Sequence, residues 1–193
     1  MIEIDLQTIR DAQHGDESAC RQIIADLHRP ILATIFRFLG PRYRGDYEDI
    51  AQDVFLKLFR SIERFDPARG VKFTTWAFTF VRNHCFDILK RRRLPTASLT
   101  TADDDRPWEL QDPSTPGPGA SVENTELGSK IGEAIAGLGE DQRLAFILRE
   151  YEGLEYASIA EVMGVSEGTI KSRIHRAKEA LRLRLATYLR AGA

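Results

Sequence analysis

Two stretches of the chain carry side chains whose types and spacing suit nucleic acid. Gly164 to Leu181 reads GVSEGTIKSRIHRAKEAL. A step of about 100° per residue from Ile170 brings Ile174, Ala177 and Leu181 within about 40° of it, which makes one side of the helix an apolar seam. Ser172, His175, Arg176 and Glu179 fall on the opposite side, with Thr169, Lys171 and Arg173 on the flanks. A face that was only solvated would accept glutamate as readily as lysine, yet the first turns carry none after Glu167. Arginine pairs bidentately with guanine, lysine and serine reach phosphates, and first-turn amides favour an anion, so the chemistry on offer is the reading of duplex DNA.

The second stretch, Phe65 to Arg93, reads FDPARGVKFTTWAFTFVRNHCFDILKRRR. It opens on a loop and continues as a helix in which Phe73, Trp76, Phe78 and Phe80 stand among Thr74, Thr75, Arg82 and Asn83. Aromatic faces stack on unpaired bases for about 1–3 kcal/mol per base and arginines follow the backbone, so this mixture suits single-stranded DNA. Aromatics at helical spacing also build cores. Phe73, Ala77, Phe80 and Val81 are assigned to the core, which leaves Trp76, Asn83 and the DPARGVK loop as the expected exposed elements. Lys90, Arg91, Arg92 and Arg93 then form a cluster that can hold duplex phosphates without regard to sequence.

Catalysis has less support. His84, Cys85 and Asp87 lie close in sequence, but on one helix His84 and Asp87 are neighbours while Cys85 points elsewhere, and no loop-borne acid, base or oxyanion group accompanies them. Cys20 and Cys85 are far apart and lack a CxxC spacing, so neither a disulfide framework nor a zinc site is expected. Both read as small buried hydrophobes. No cofactor and no metal are expected.

The elements that must position these residues are helical. In DYEDIAQDVFLKLFRSIERF the apolar residues Ile50, Val54, Leu58 and Ile62 recur every four positions, with Phe55 and Phe59 widening the stripe. ACRQIIADLHRPILATIFRFLG has similar spacing, interrupted by Pro30 and ended by Gly40 and Pro41. Tyr156 to Met163 makes a short helix with Ile159, Ala160 and Met163 inward. Gly164 ends it in the left-handed conformation, Val165 packs inward, and Ser166 caps the next helix, which gives a helix-turn-helix. No sustained alternation marks a strand. The expected fold is all-α, with three or four helices before a linker and about four after it.

Charge is segregated along the chain despite a net value of −2. Residues 1–95 carry +3, residues 96–127 carry −6 and residues 128–193 carry +1. The middle segment holds Asp103, Asp104 and Asp105, and with Pro95 it contains five of the eight prolines. It reads as a flexible acidic linker between two small domains, 1–95 and 128–193. No apolar run approaches the roughly 20 residues of a membrane span, and the acidic, amphipathic N-terminus is unlike a signal peptide, so a cytoplasmic location is expected.

The two helical blocks resemble regions 2 and 4 of a bacterial RNA polymerase sigma factor of the sigma-70 family, extracytoplasmic-function (ECF, group IV) type. DYEDIAQDVFLKLFRSI resembles the region 2 helix that docks on the polymerase clamp, and VKFTTWAFTFVRNHCFDILKRRR resembles the promoter-melting segment. LGEDQRLAFILREYEGLEYASIAEVMGVSEGTIKSRIHRAKEAL resembles region 4 nearly throughout. The resemblance spans about residues 10–95 and 128–187.

The resemblance implies a role for each block. Asp49, Gln52, Asp53 and Phe55 would bind the polymerase clamp, Phe55 as a projecting aromatic. Phe65 to Lys72, with Arg69 in the loop, would capture a base flipped from the minus-ten element. Phe73, Trp76 and Asn83 would line the melted strand, with Lys90 to Arg93 on duplex phosphates. Thr169, Lys171, Ser172, Arg173, His175 and Arg176 would read the minus-thirty-five element. The partners implied are core RNA polymerase through its beta-prime clamp and beta flap, promoter DNA and an anti-sigma factor, with no membrane insertion. Two positions depart from the pattern: Gly139 stands where proline is common, and Ser158 where an acid is common. The competing reading is a helix-turn-helix regulator that binds a palindrome alone, with residues 1–95 as a dimerisation or sensor domain.

Overall fold

Each of the first two helices starts where an aspartate supplies the missing acceptor for free first-turn amides. Asp5 accepts from Gln7 and Thr8 ahead of α1 (Leu6–Gln13), and Asp16 accepts from Ala19 ahead of α2 (Glu17–Leu39). In this computed structural model, which describes residues 3–93 and 122–191, with side chains at 3–92 and 127–186, α3 (Tyr47–Arg60) and α4 (Phe73–Arg93) complete the N-terminal unit. α3 follows the macrodipole rule, with Glu48 and Asp49 in its first turn and Lys57 and Arg60 in its last.

Pro30 does not interrupt α2, contrary to the sequence expectation; the helix runs unbroken from Glu17 to Leu39. An internal proline costs about 3 kcal/mol through one lost hydrogen bond and a ring clash. Ile23, Leu27, Ile31, Ile35 and Phe38 continue as one stripe across it, each at most 1% exposed. Burial of such side chains contributes about 1.5–3 kcal/mol apiece, so the stripe outweighs the proline.

The C-terminal unit comprises α5 (Val122–Ala136), α6 (Glu140–Glu150), α7 (Tyr156–Met163) and α8 (Glu167–Ala191). α5 starts within the stretch read as linker; the rest of that acidic segment lies outside the described residues. Gly139 is the N-cap of α6 at φ −59°, a value that proline also adopts, so glycine here keeps the backbone that proline would impose. Among the described residues there is no strand, and the architecture is all-α as expected.

The two units pack on each other. α2 meets α5 and α6, and α4 lies along α7. Arg143 of α6 joins three chain segments by donating to the carbonyls of Phe38 (2.8 Å), Leu138 (2.9 Å) and Ala136. These carbonyls lie at the C-terminal ends of α2 and α5, where the helix has no donors of its own, so one cation completes two helix ends. Cys85 is 1% exposed and burial pushes its thiol up to about 12, as befits a small core residue. Cys20 is only half-buried.

Candidate nucleic-acid interface

α7 and α8 form the expected helix-turn-helix. α7 stops because Gly164 takes φ 65°, a left-handed value that costs glycine nothing, and Val165 N–H donates back to the Ala160 carbonyl at 3.1 Å. Ser166 then caps α8, its hydroxyl oxygen accepting from Thr169 N at 3.3 Å. Ile170, Ile174, Ala177 and Leu181 are all buried, as are Ile159, Ala160 and Met163 of α7. This two-sided seam sets the angle of α8 and turns Lys171, Ser172, His175 and Arg176 to solvent.

Not every expected reading residue is available there. Arg173 donates to Asp141 Oδ2 at 2.7 Å with its side chain 21% exposed, so this guanidinium braces α8 to α6 instead of facing outward. Thr169 is half-buried, and its hydroxyl lies 3.0 Å from that of Ser166. Lys171 lies 3.8 Å from Glu167 one turn back, an exposed pair that phosphate can displace at little cost.

The aromatic helix is organised by a cluster at its start. Phe65, Phe73, Trp76 and Phe80 pack with ring centroids about 5 Å apart, from 4.8 Å for Trp76 with Phe80 to 5.5 Å for Phe73 with Trp76. Phe65 and Phe73 were given places beside the captured base and the melted strand by the resemblance, but at 5% and 4% exposure they are core, as the residue pattern itself assigned Phe73. Their rings support Trp76, which is half-buried and lines a small cavity with Phe65, Arg64, Arg69 and Val71. Phe80, assigned to the core, is half-buried against it. Arg69, Lys72 and Asn83 are exposed as expected, and Asn83 accepts from Arg82 at 2.8 Å.

Gln13 was missed by the sequence reading. Its amide nitrogen donates to the carbonyls of both Ile62 and Phe65 at 2.9 Å, and so fixes the entrance of the DPARG loop from α1. Asp66 then accepts from Ala68, and Gly70 at φ 71° makes the bend that turns the chain into α4. No local signal marks Gln13, since its partners lie 49 and 52 residues away.

At the far end of α4, Lys90, Arg91 and Arg92 are exposed; the Arg93 side chain lies outside the described residues. Arg92 places its guanidinium 5.6 Å from the Tyr43 ring, which brings the exposed Arg42 and Arg44 beside the cluster. On α3, Asp49, Gln52 and Asp53 are exposed, but Phe55 is not a projecting aromatic. At 7% exposure it packs between His28 and Phe59, and the apolar side chain that projects among the carboxylates is Leu56, 54% exposed. Beneath this face His84 lies between Lys57 and Asp53, with its Nε2 3.4 Å from the Asp53 carboxylate. Burial, then the Lys57 charge, holds its pKa below the ordinary value, against the pull of Asp53 and Asp87. The imidazole is therefore neutral at pH 7.

Residues 23–94 match the family model described as Sigma-70 region 2, and residues 129–181 that described as Sigma-70, region 4. The chain is 34% identical to the RNA polymerase sigma-H factor of Pseudomonas aeruginosa, over 97% of each protein. It is 33% identical to the ECF RNA polymerase sigma-E factor of Haemophilus influenzae, over 91% of this chain and 92% of that one. Two solved structures share its fold. CnrH, in complex with the cytosolic domain of CnrY, gives a TM-score of 0.69 at 23% identity over 96% of this chain and 99% of that one. The sigma factor RpoE of Bartonella quintana, in complex with the anti-sigma factor NepR, gives 0.65 at 24% identity over 86% and 96%.

Proposed function

The chain belongs to the sigma-70 family of bacterial RNA polymerase sigma factors, extracytoplasmic-function type, and on that premise we propose how its surfaces divide the work of promoter recognition. As a sigma factor it directs core RNA polymerase to specific promoters and promotes DNA opening at initiation. The C-terminal unit, residues 128–193, reads the minus-thirty-five element through Lys171, Ser172, His175 and Arg176 of α8. The N-terminal unit, residues 1–95, takes the melted minus-ten strand along Trp76, Asn83, Arg69 and Lys72. Lys90, Arg91 and Arg92, extended by Arg42 and Arg44, hold the duplex phosphates upstream, a contribution that salt weakens.

The face of α3 that carries Asp49, Gln52, Asp53 and Leu56 binds the clamp of the polymerase. An exposed leucine ringed by carboxylates supplies the desolvated centre and polar rim of a protein interface. An anti-sigma factor is the proposed regulator. No helix among the described residues is long and apolar enough to cross a membrane, and work with the polymerase puts the chain in the cytoplasm. The chain acts by binding, with no reaction of its own.

The observation that carries this reading is the pairing of two unlike DNA surfaces in one chain, a helix-turn-helix for duplex and an aromatic edge flanked by cations for unpaired bases. In vitro transcription with core enzyme on a matched promoter tests it. Start-site-specific transcripts that require the chain are expected; a folded chain that gives no stimulation would refute the assignment. The regulator reading fails the complementary test, a gel shift, if specific promoter binding needs core enzyme.

A further inference from the structure

His84 is a polar ring set in the interior of the N-terminal unit at 7% exposure, and the surfaces assigned to promoter DNA make no use of it. A ring nitrogen buried without a partner costs free energy, so a place this deep is maintained by what the ring bonds. Both nitrogens are engaged from α3. Lys57 Nζ lies against Nδ1, and Asp53 Oδ2 lies 3.4 Å from Nε2. Asp53 and Lys57 are one turn apart on α3, a spacing that suits a direct ion pair, yet the ring stands between them.

The chemistry of the two partners fixes the tautomer. An ammonium only donates, so Nδ1 must offer its lone pair. The single proton of a neutral ring then sits on Nε2, the nitrogen that meets the carboxylate. The contact also joins interior to surface, since the His84 side chain is 8% exposed and that of Asp53 is 60% exposed. Asp53 shares its outer face with Asp49, Gln52 and Leu56, the face given above to the polymerase clamp. With Oδ2 engaged from beneath, Oδ1 is the oxygen left to a donor arriving from outside.

Resting on the sigma-factor reading and on the clamp role of α3 within it, we propose that His84 is a positioning residue for polymerase binding: Lys57 sets its tautomer, and the Nε2–H group holds the Asp53 carboxylate ready for a cationic or N–H donor of the clamp. A carboxylate oriented before contact does not have to be immobilised on binding, so the ring adds affinity without touching the polymerase. Packing alone would be met as well by leucine, which fills a similar volume and leaves no nitrogen to satisfy.

The test lets unlabelled full-length chains compete with wild type, labelled with fluorescein at its N-terminus, for core RNA polymerase, read by anisotropy. Asp53→Ala is expected to weaken binding and so measures the weight of the carboxylate. In His84→Leu, Lys57 can extend into water and the exposed Asp53 is hydrated, so the fold is expected to keep its Tm. Its affinity is expected to fall about three- to tenfold, the cost of immobilising one side chain on binding. His84→Gln offers an amide oxygen to Lys57 and an amide nitrogen to Asp53, and is expected to recover most of that loss, which a packing role would not give. In the Asp53→Ala background, His84→Leu is expected to change affinity by less than about twofold. The imidazole ¹⁵N resonances of the histidine-labelled full chain, with those of His84 identified by their loss in His84→Gln, are expected to show the Nε2–H tautomer at pH 7. A ring protonated on Nδ1 alone, or an undiminished effect of His84→Leu without the Asp53 carboxylate, overturns the proposal. If Asp53→Ala leaves affinity unchanged, the clamp assignment of α3 falls and the proposal with it. If Asp53→Ala weakens binding and His84→Leu does not, the clamp assignment stands and only the positioning role falls.

Discussion

Replacement of Arg143 by alanine is expected to damage the fold more than any other surface-charge removal in the chain. Its guanidinium donates to Phe38, Ala136 and Leu138 carbonyls, bonds that close the C-terminal ends of α2 and α5 together. Hydrogen bonds from a charged donor contribute about 1.5–3 kcal/mol each. Two effects reduce the sum: the carbonyls are only part-buried and regain water, and burial holds the Arg143 pKa below its ordinary value, so desolvation opposes the bonds. A net loss of about 2–4 kcal/mol remains. For a chain of this length that is a fall in Tm of about 5–15 °C, measured by far-UV circular dichroism. Arg143→Lys is expected to recover less than half, since one ammonium cannot span three carbonyls in a planar fork. Arg149→Ala is the control. Arg149 makes one hydrogen bond, to Leu154 O at 2.8 Å, and lies 4.7 Å from the Tyr156 ring centre, and its loss is expected to cost about 1–2 kcal/mol, less than that of Arg143. A fall of less than about 2 °C for Arg143→Ala would refute the assignment of Arg143 as a shared helix cap.

Arg176→Ala is expected to leave Tm unchanged and to weaken promoter use by about 1–3 kcal/mol in transcription assays, whereas Arg173→Ala, which frees Asp141, is expected to lower Tm. Gly139→Ser gives α6 the side-chain cap it lacks, in a place where the new Cβ meets only Gln142 Oε1 at 3.9 Å; a gain of about 0.5–1 kcal/mol is expected in thermal melts. The folded chain holds His84 below 6.5 and so binds fewer protons than the unfolded chain. Its contribution to stability is complete above pH 6.5 and is lost as pH falls through the folded value, so the wild type is expected to lose more Tm between pH 7 and 5 than His84→Gln.

What was legible in the sequence depended on how far apart the cause and the effect lie along the chain. The α8 seam, the Gly164 bend and the Ser166 cap were all readable because helical period and capping involve neighbours within about four residues. Pro30 misled because a local breaker was weighed without the stripe that crosses it. Phe55 misled for a different reason: the signal was present. From Val54 in the buried stripe, Phe55 lies about 100° away at its edge and Leu56 about 200° away on the far side, so the angular test already turns Leu56, not Phe55, to solvent. Phe65 and Phe73 sit at the boundary that period alone cannot draw, since an aromatic cluster can be either core or binding surface until its edge is located at Trp76.

The residues that escaped the sequence altogether are those whose partners are distant. Arg143 reaches Phe38 across 105 positions and Thr34 reaches Glu152 across 118. These are also the contacts that join the two units, and a local reading of either unit has no means of finding them. A carboxylate buried at a cost, offset in part by one hydroxyl and one guanidinium, leaves a small difference between opposing terms, and a contact of that kind leaves no periodic apolar pattern in the sequence as the seam under α8 does.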